Sequence, residues 1–265
     1  MAIYAHVSKK HDALPPLVLV HGLGSAGSIW KMLHEGLEDS FTIYALDLPG
    51  HGVAALDSGE ELDPQSLARN IVEYLESEHG ITTFHVAGNS LGGWITLEMA
   101  ALFPDRVLSV TALAPAGLWD GGPTSKFPPT IDARILAKIS QFFMPLAYRI
   151  PALKAVGYKK ITHLWRELSY ETCRDSVVAM AQASGFTPMW SALRHKNFSS
   201  KIPNLVRVSV IFGEHDLTLP NPAAQLRNKT PEHTRWIIVE NCPHVIMWNY
   251  PKLTSDFIKE TALGY

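Results

Sequence analysis

The sequence predicts an α/β protein, in which a mostly parallel sheet is flanked by helices and a helical cap is inserted into the sheet. Short runs that are apolar throughout, such as Leu17–Val20, are typical of parallel strands buried on both faces. Segments with helical periodicity lie between these runs, as in sheets covered by helices on both faces. The alternation stops over residues 118–200. We therefore expect a core formed by residues 1–117 and 201–265, and a cap formed by residues 118–200.

Seven segments are predicted as strands. The run Leu17–Val20 follows two prolines and contains no polar residue, and the other runs are similarly rich in apolar residues. The other predicted strands are Ile3–Val7, Phe41–Leu48, Phe84–Ala87, Val107–Leu113, Val206–Phe212 and Trp236–Val239.

The first long core helix is predicted to begin at Asp63-Pro64 and to end near Gly80. Aspartate is a preferred N-cap residue, and proline is favoured in the first turn of a helix. Apolar residues then recur at the spacing of one helical face, at Leu67, Ile71 and Leu75. Two more core helices are predicted, one from just after Ser90 to Pro104 and one over Leu253–Ala262.

The region between the two parts of the core is predicted to be irregular at first and then mostly helical. Glycine and proline clusters at Gly121-Gly122-Pro123 and Phe127-Pro128-Pro129 indicate the irregular part. The alternative is that the region simply extends the core. The helical patterns cover Ile131–Phe143, Pro151–Leu168 and Cys173–Ser184.

The composition indicates a globular protein with a large core, because 46% of the residues are hydrophobic and 18% are charged. A net charge of -2 provides no basic excess for nucleic-acid binding. Cys173 and Cys242 are expected to be free thiols in a reducing compartment. No apolar run approaches the roughly 20 residues of a membrane span, and residues 1–10 lack a secretory pattern. We expect a cytoplasmic protein without stable membrane insertion, and the oligomeric state stays open.

The segment Gly88-Asn89-Ser90-Leu91-Gly92 fits the pattern G-x-S-x-G. It lies directly between a predicted strand and a predicted helix, which is the context of a nucleophile elbow. Glycines allow the sharp turn, and the helix N-terminus favours developing negative charge. Ser90 is therefore the candidate nucleophile. The alternative is a glycine-rich turn whose serine has no catalytic role.

A serine hydroxyl becomes a good nucleophile only when a neighbouring base takes its proton. His244 follows the last predicted strand and precedes the last predicted helix, where the base belongs in the chain order Ser, Asp or Glu, His. Asp216 follows the preceding strand and is the candidate acid that orients the histidine. Glu214 is the nearest rival for this role. Glu240 is a weaker rival, because it lies very close to the histidine in the sequence.

A glycine-rich loop, His21-Gly22-Leu23-Gly24-Ser25, follows the strand Leu17–Val20. Acyl transfer builds negative charge on a carbonyl oxygen, and backbone N–H groups aimed at that oxygen stabilise it. One N–H donor is expected from Leu91, the residue after the serine, and the other from Leu23. The later turn Asp47–Gly52, which contains His51, is expected to support this loop rather than to take part in the chemistry.

The same loop also fits another class of protein. The spacing Gly22-x-Gly24-x-x-Gly27 matches the dinucleotide-binding pattern, and Asp47 stands where that pattern expects an acid. This alternative predicts an oxidoreductase that binds a nicotinamide cofactor. It leaves the serine turn and the late aspartate and histidine unexplained.

In their order along the chain, these motifs resemble those of the α/β-hydrolase superfamily. The resemblance is to the branch with a serine nucleophile, which includes bacterial esterases, lactonases, cofactor-free haloperoxidases and C–C bond hydrolases. It extends over nearly the whole chain except residues 118–200. Dehalogenases and epoxide hydrolases of this fold use aspartate where Ser90 stands. The motifs are His21-Gly22, Asp47-Leu48-Pro49-Gly50-His51-Gly52, Gly88-Asn89-Ser90-Leu91-Gly92-Gly93, Gly213-Glu214-His215-Asp216 and Pro243-His244.

Two positions depart from the pattern of these relatives. Pro243 replaces a glycine that often precedes the catalytic histidine, and Val245 stands where the C–C bond hydrolases typically have tryptophan. Asn89 and Cys242 are shared with the C–C bond hydrolases, so that activity stays an alternative.

The resemblance implies hydrolysis of a carboxylic ester or lactone through an acyl-enzyme, with Ser90, His244 and Asp216 as the triad and with no metal or organic cofactor. The aromatic and aliphatic residues of the cap predict a hydrophobic small-molecule substrate. Two alternatives stay open. One is C–C bond hydrolysis of a vinylogous diketone, and the other is a receptor that binds a small molecule on the same scaffold with little or no turnover.

Overall fold

The computed structural model describes residues 3–11, 13–119, 131–219 and 225–264. The strands are β1 Tyr4–Ser8, β2 Pro16–Val20, β3 Thr42–Asp47, β4 Phe84–Asn89, β5 Val107–Leu113, β6 Arg207–Gly213 and β7 Arg235–Val239. The helices are α1 His34–Leu37, α2 Pro64–His79, α3 Leu91–Leu102, α4 Ile131–Arg149, α5 Pro151–Tyr158, α6 Tyr170–Gln182, α7 Phe186–Leu193, α8 Ile246–Asn249 and α9 Pro251–Leu263.

Within the described residues, the seven strands form one sheet in the order β1-β3-β2-β4-β5-β6-β7. β1 runs antiparallel to β3, and the remaining strand pairs are parallel. This arrangement confirms the predicted mostly parallel sheet. The largest shift in a strand boundary is at β4, which continues to Asn89 because Gly88 and Asn89 still pair with Ala112 and Leu113 of β5.

Consecutive residues of the central strands are buried on opposite faces of the sheet. In β2, Val18 and Val20 belong to one apolar cluster, whereas Leu17 and Leu19 belong to the other. Helices α2 and α3 contribute to the first cluster, and α1, α8 and α9 contribute to the second. Because both faces of the strands are covered, the apolar runs in the sequence are continuous rather than alternating.

The three predicted core helices correspond to α2, α3 and α9. Asp63 caps α2 by accepting hydrogen bonds from the backbone N–H groups of Gln65 and Ser66. Gly80 follows the helix with a φ of 66°, a left-handed conformation that favours glycine. Asp63 therefore begins the helix and Gly80 ends it, as the sequence predicts.

Helices α4 to α7 lie between β5 and β6 and form the helical insertion. The predicted irregular segments Gly121-Gly122-Pro123 and Phe127-Pro128-Pro129 lie outside the described residues. Helix α4 extends six residues beyond the predicted end at Phe143, to Arg149. No helix in the described part of the chain is long and apolar enough to cross a membrane.

The helical pattern predicted over Pro151–Leu168 is wrong in its second half, because α5 ends at Tyr158. Beyond this point the hydroxyl group of Thr162 forms hydrogen bonds that compete with those of a continuing helix. Its Oγ1 accepts the N–H of Leu164 at 3.0 Å and donates to Oδ1 of Asn249 at 3.0 Å. Threonine side chains compete with helical hydrogen bonds in this way.

A buried lysine ties α5 to the turns that follow it. Lys154 Nζ donates to the backbone oxygens of Arg166 and Leu168, both at 2.8 Å, and lies 4.5 Å from the centre of the Tyr148 ring. A buried ammonium group requires such compensation, because its loss of hydration is costly. On the same helix, a Cβ added at Gly157 would meet open space.

Candidate active site

The predicted nucleophile turn joins β4 to α3. Ser90 lies at the junction with a φ of 57° and a ψ of -114°, and a positive φ is uncommon for a residue other than glycine. The turn is fixed by hydrogen bonds, because the N–H of Ser90 donates to the oxygen of Leu113 at 2.9 Å and the N–H of Ala116 donates to the oxygen of Ser90 at 3.0 Å. Backbone strain of this kind is typical of functional sites.

Two glycines allow the elbow to pack tightly against the sheet. A Cβ on Gly88 would overlap the backbone oxygen of Gly92, and a Cβ on Gly92 would overlap the backbone oxygen of Val20 in β2. Both positions therefore require glycine for close backbone approach. The two glycines of the G-x-S-x-G pattern are needed by the packing, independently of any chemistry at Ser90.

The structure brings His244 and Asp216 into direct contact. Nδ1 of His244 lies 2.7 Å from Oδ2 of Asp216, and both side chains are buried. The other carboxylate oxygen, Oδ1, accepts the backbone N–H groups of Thr218 at 2.7 Å and Leu219 at 2.9 Å. With Nδ1 engaged by the carboxylate, Nε2 is the ring nitrogen left for other chemistry.

Opposing effects act on the ionisation of Asp216. Burial by itself would raise the pKa of this carboxyl group, because it disfavours the charged form. The positive charge on a protonated His244 and the hydrogen bonds from His244, Leu219 and Thr218 act the other way, and the pKa lies below its ordinary value. The carboxylate is therefore ionised at neutral pH and can hold the imidazole.

The rival acids lie outside this pair. Glu214 is exposed, and its Oε2 accepts the backbone N–H of Asn241 at 2.9 Å. Glu240 is also exposed. Glu214 thus supports the turn of the histidine loop, whereas Asp216 alone of the three contacts the imidazole of His244 among the described hydrogen bonds.

Two contacts that the sequence analysis did not predict position the histidine loop. A Cβ on Gly213, at the end of β6, would overlap the backbone oxygen of Cys242. The amide Nδ2 of Asn89 donates to the backbone oxygen of Leu113 at 3.3 Å and to that of His244 at 3.5 Å. In the sequence, these contacts could have been suspected from a glycine at the carboxyl end of a strand and from a polar residue directly before the serine.

Ser90 and His244 line the same cavity, which has a volume of about 660 Å³. Its walls come from the carboxyl ends of the strands on one side and from the helical insertion on the other. Most of the lining side chains from the insertion are apolar. They include Leu136, Ala137, Met144, Ala147, Leu153, Val156, Val177, Met180, Phe186, Trp190 and Leu193.

Leu23 and Leu91, the predicted oxyanion-hole residues, also line this cavity. Ser90 provides no side-chain cap for the first turn of α3. No described residue accepts the backbone N–H of Leu23 or of Leu91 in the hydrogen bonds of the structure. Both groups are thus available to an oxygen atom bound in the cavity, where the N-terminus of α3 also favours negative charge.

Two buried histidines hold the loop that carries Leu23. His51 Nε2 accepts the backbone N–H of Gly24 at 3.2 Å, and its Nδ1 donates to the oxygen of Pro49 at 3.0 Å. His21 Nε2 accepts the N–H of Leu48 at 3.1 Å. Burial, and then the neighbouring His21, lower the pKa of His51 to about 3. The ring is therefore neutral and supports the loop, as the sequence analysis predicts.

Asp47 also holds the backbone of the loops near Leu23 through its carboxylate. Its Oδ1 accepts the backbone N–H of Gly27 at 2.6 Å, and its Oδ2 accepts that of Val53 at 3.0 Å and lies 2.9 Å from Nε2 of His6. The carboxylate is buried and occupied by protein groups, so it is not placed to bind a ribose hydroxyl. The match of Gly22, Gly24 and Gly27 to the dinucleotide pattern is therefore a coincidence.

Both cysteines are buried free thiols, as the sequence analysis predicts. Burial raises the pKa of Cys242 to about 12, and its Sγ donates to the oxygen of Pro243 at 3.3 Å. A thiol in this state is not a nucleophile at neutral pH. In the described residues, no group of three or more His, Cys, Asp or Glu side chains is arranged to hold a metal ion.

Residues 17–257 match the model of the Alpha/beta hydrolase family. Over 107 residues, 39% of this chain, the sequence is 42% identical to the "Dihydrolipoyllysine-residue acetyltransferase component of acetoin cleaving system" of Pseudomonas putida, but that match covers only 27% of the relative. A second such relative, from Cupriavidus necator, is matched over 31% of its length. The match therefore spans less than a third of either relative.

Other relatives are matched over more of their length. The chain is 22% identical to the monoacylglycerol lipase ABHD6 of Rattus norvegicus over 92% of this chain and 74% of the relative. The enol-lactonase structure from Burkholderia xenovorans LB400 superimposes with a TM-score of 0.74 and 17% identity, covering 98% of this chain and 96% of the lactonase. At this identity, the structural likeness demonstrates the fold alone.

Proposed function

Because this chain belongs to the alpha/beta hydrolase family, we propose that it is a serine hydrolase that cleaves a carboxylic ester or lactone of a hydrophobic small molecule through an acyl-enzyme. One observation carries the proposal. A buried Asp216–His244 pair, joined at 2.7 Å, lines the same apolar cavity as Ser90, which is held at a strained turn.

In the first half of the reaction, His244 takes the hydroxyl proton of Ser90 through Nε2. The Ser90 oxygen then attacks the carbonyl carbon of the substrate and forms a tetrahedral intermediate. Asp216 keeps the Nδ1 hydrogen of His244 directed at itself and stabilises the imidazolium that forms. The alcohol leaves with the proton that His244 returns, and an ester bond joins the acyl group to Ser90.

The negative charge of the intermediate falls on the former carbonyl oxygen. The backbone N–H groups of Leu23 and Leu91 donate to this oxygen, and the N-terminus of α3 adds a favourable dipole. His51 acts indirectly, because its acceptor nitrogen fixes the loop on which Leu23 lies.

In the second half of the reaction, a water molecule replaces the alcohol. His244 accepts a proton from this water while the water oxygen attacks the acyl carbon. Collapse of the second intermediate returns the proton to Ser90 and releases the carboxylic acid. The triad is then ready for another cycle, and no step consumes a cofactor.

The substrate class follows from the cavity. Its lining from the insertion is aliphatic, aromatic or thioether, with few polar side chains. Apolar walls favour an acyl or aryl group by burying it from water. Relatives named as a lipase and a lactonase are consistent with a hydrophobic ester or lactone.

Labelling with a fluorophosphonate probe tests the nucleophile directly. We expect the probe to form an adduct that mass mapping locates on Ser90, and Ser90→Ala to abolish both labelling and aryl-ester hydrolysis. Ser140 lies in the same cavity on α4, so Ser140→Ala is the matched control and should retain labelling. An adduct at another serine, or an active Ser90→Ala variant, would contradict the proposal.

The two alternative activities give different results. A C–C bond hydrolase would turn over a vinylogous diketone dienoate faster than aryl esters of similar size. A receptor would give a burst of product from one acylation and almost no steady-state rate. A panel of aryl esters, lactones and such a dienoate, measured for burst amplitude and for kcat/KM, separates the three activities.

A further inference from the structure

The helical insertion carries many exposed apolar side chains. Elsewhere the large apolar side chains are mostly buried, but Phe142 of α4 is 77% exposed and Val156 of α5 is 73% exposed. Contiguous exposed apolar residues mark interaction surfaces in folded proteins. We call this area the cap patch, and it consists of Ile135, Leu136, Ile139, Phe142, Phe143, Leu146, Ile150, Leu153 and Val156.

The spacing of the cap patch is that of one helical face. Ile135, Ile139, Phe142 and Leu146 recur at intervals of four, three and four residues along α4, which places them in one stripe. The inner side of the same helix buries Ala137 and Met144, and Met144 lines the cavity. Helix α4 is therefore apolar on both sides, although the described residues bury only its inner side.

The stretch of chain that carries most of the cap patch is rich in basic residues. Residues 134–168 contain seven Lys and Arg and one acidic residue, Glu167, which gives this stretch a net charge of +6. The whole chain has a net charge of -2, so the remainder carries -8. The exposed basic residues are Lys138, Arg149, Lys159, Lys160 and Arg166.

The cap patch is continuous with the cavity that contains Ser90. Leu136, Leu153 and Val156 are exposed members of the cap patch and also belong to the cavity lining. An apolar molecule lying against the cap patch thus meets the cavity wall without first crossing a polar surface.

We propose that the cap patch docks on the surface of an anionic lipid bilayer. The aromatic and aliphatic side chains enter the boundary between headgroups and acyl chains, and the lysines and arginines face the lipid phosphates. This combination of an apolar face with basic residues is the pattern of helices that lie in a membrane interface without spanning it.

The charge distribution favours a bilayer over a second copy of the chain. A symmetric dimer through the cap patch would bring two regions of +6 against each other, and like charges repel strongly when water is excluded. An anionic bilayer instead attracts this region, and the net negative charge of the chain resides outside it. The docking does not require the triad, although it would deliver lipid-like esters to the cavity under the proposed function.

Flotation with vesicles tests the apolar part of the surface. We expect the full chain to float with phosphatidylcholine vesicles that contain phosphatidylglycerol. Phe142→Ser combined with Phe143→Ser should lower the bound fraction on the order of tenfold or more, because two exposed aromatic anchors are lost. Leu108→Ser combined with Leu205→Ser is the matched control, since both leucines are exposed near the amino ends of β5 and β6.

A second pair of variants tests the charge. Lys159→Gln combined with Lys160→Gln should weaken binding to the anionic vesicles on the order of tenfold, because each basic residue near the surface contributes separately. Binding to vesicles of phosphatidylcholine alone should change little. Lys196→Gln combined with Lys201→Gln, two exposed lysines outside the cap patch, should leave both values unchanged.

Three results would overturn the docking proposal. The first is a wild-type chain that does not float with anionic vesicles, and the second is equal binding by the phenylalanine variant and its leucine control. The third is a wild-type dimer in light scattering that the phenylalanine substitutions convert to a monomer, which would identify a second copy as the occupant. Ser90→Ala should still float, so loss of hydrolysis and loss of docking are distinguishable, and circular dichroism confirms that each variant is folded.

Discussion

Replacing Asp216 by asparagine tests most directly whether this carboxylate orients His244 for catalysis. The carboxylate accepts three hydrogen bonds, from Nδ1 of His244 and from the backbone N–H groups of Thr218 and Leu219. Asparagine has almost the same shape, and its one oxygen can keep both backbone bonds. Its NH₂ group then faces Nδ1 of His244, so the imidazole must accept there and carry its proton on Nε2. A histidine in that tautomer cannot take the proton of Ser90.

The expected loss is large although the shape is preserved. In a serine protease, the same exchange of aspartate for asparagine lowers kcat about 10⁴-fold. At about 1.36 kcal/mol per tenfold change, this corresponds to about 5.5 kcal/mol of transition-state stabilisation. We expect Asp216→Asn to show a loss of this order in kcat for an aryl ester, with KM changed little because the cavity lining is unaltered.

Stopped-flow and steady-state assays of the aryl ester provide the measurement, and thermal melting checks that the variant is folded. Glu214→Gln is the matched control. It removes a carboxylate two residues away that faces solvent and supports the backbone of Asn241, so kcat should stay near the wild-type value. If Asp216→Asn keeps a tenth of wild-type kcat, or if Glu214→Gln is the more damaging change, the assignment of the acid is incorrect.

Three further predictions concern the stability of the fold. Gly92→Ala should lower the free energy of unfolding by more than about 3 kcal/mol, because its Cβ would overlap the backbone of β2. Gly157→Ala is the control: a Cβ there meets open space, so alanine should stabilise α5 by about 0.5–1 kcal/mol. Urea titration measures both changes. Lys154→Met should cost about 1–3 kcal/mol by leaving two carbonyl oxygens without a donor, and the exposed Lys159→Met should be near neutral in the same titration. For His51, the folded-state pKa of about 3 lies below the ordinary value, so the unfolded chain binds a proton that the folded chain does not. The free energy of unfolding therefore falls as the pH drops from about 6.5 towards 3. His51→Gln should reduce the slope of the unfolding free energy against pH, between pH 5 and pH 6, by up to about 1.4 kcal/mol per pH unit. An unchanged slope would mean that His51 is not buried in its neutral form.

Much of the fold could be predicted from local patterns. The continuous apolar runs predicted strands buried on both faces, and the sheet contains each of them. The capping aspartate at position 63 and the glycine at position 80 marked the two ends of α2. These predictions succeeded because the signals lie within a few residues of the structure that they specify.

The helix ends in the insertion were less predictable. The periodicity of Pro151–Leu168 continues past the end of α5, but Asn249 accepts the hydroxyl hydrogen of Thr162 and the N–H of His163. This partner is more than 80 residues away in the sequence. No window of local sequence contains that competition, so a pattern of apolar residues cannot locate the break.

The sequence by itself determined the order of the chemistry along the chain: a serine in a glycine-rich turn after one strand, an acid after a later strand and a histidine after the last. The tertiary structure decided which carboxylate contacts the imidazole and that the Asp47 oxygens accept loop N–H groups. It also decided that, among the described residues, one apolar face of the insertion stays exposed. These outcomes depend on distances between residues remote in the chain, and such distances are fixed only when the strands and the helical insertion pack together.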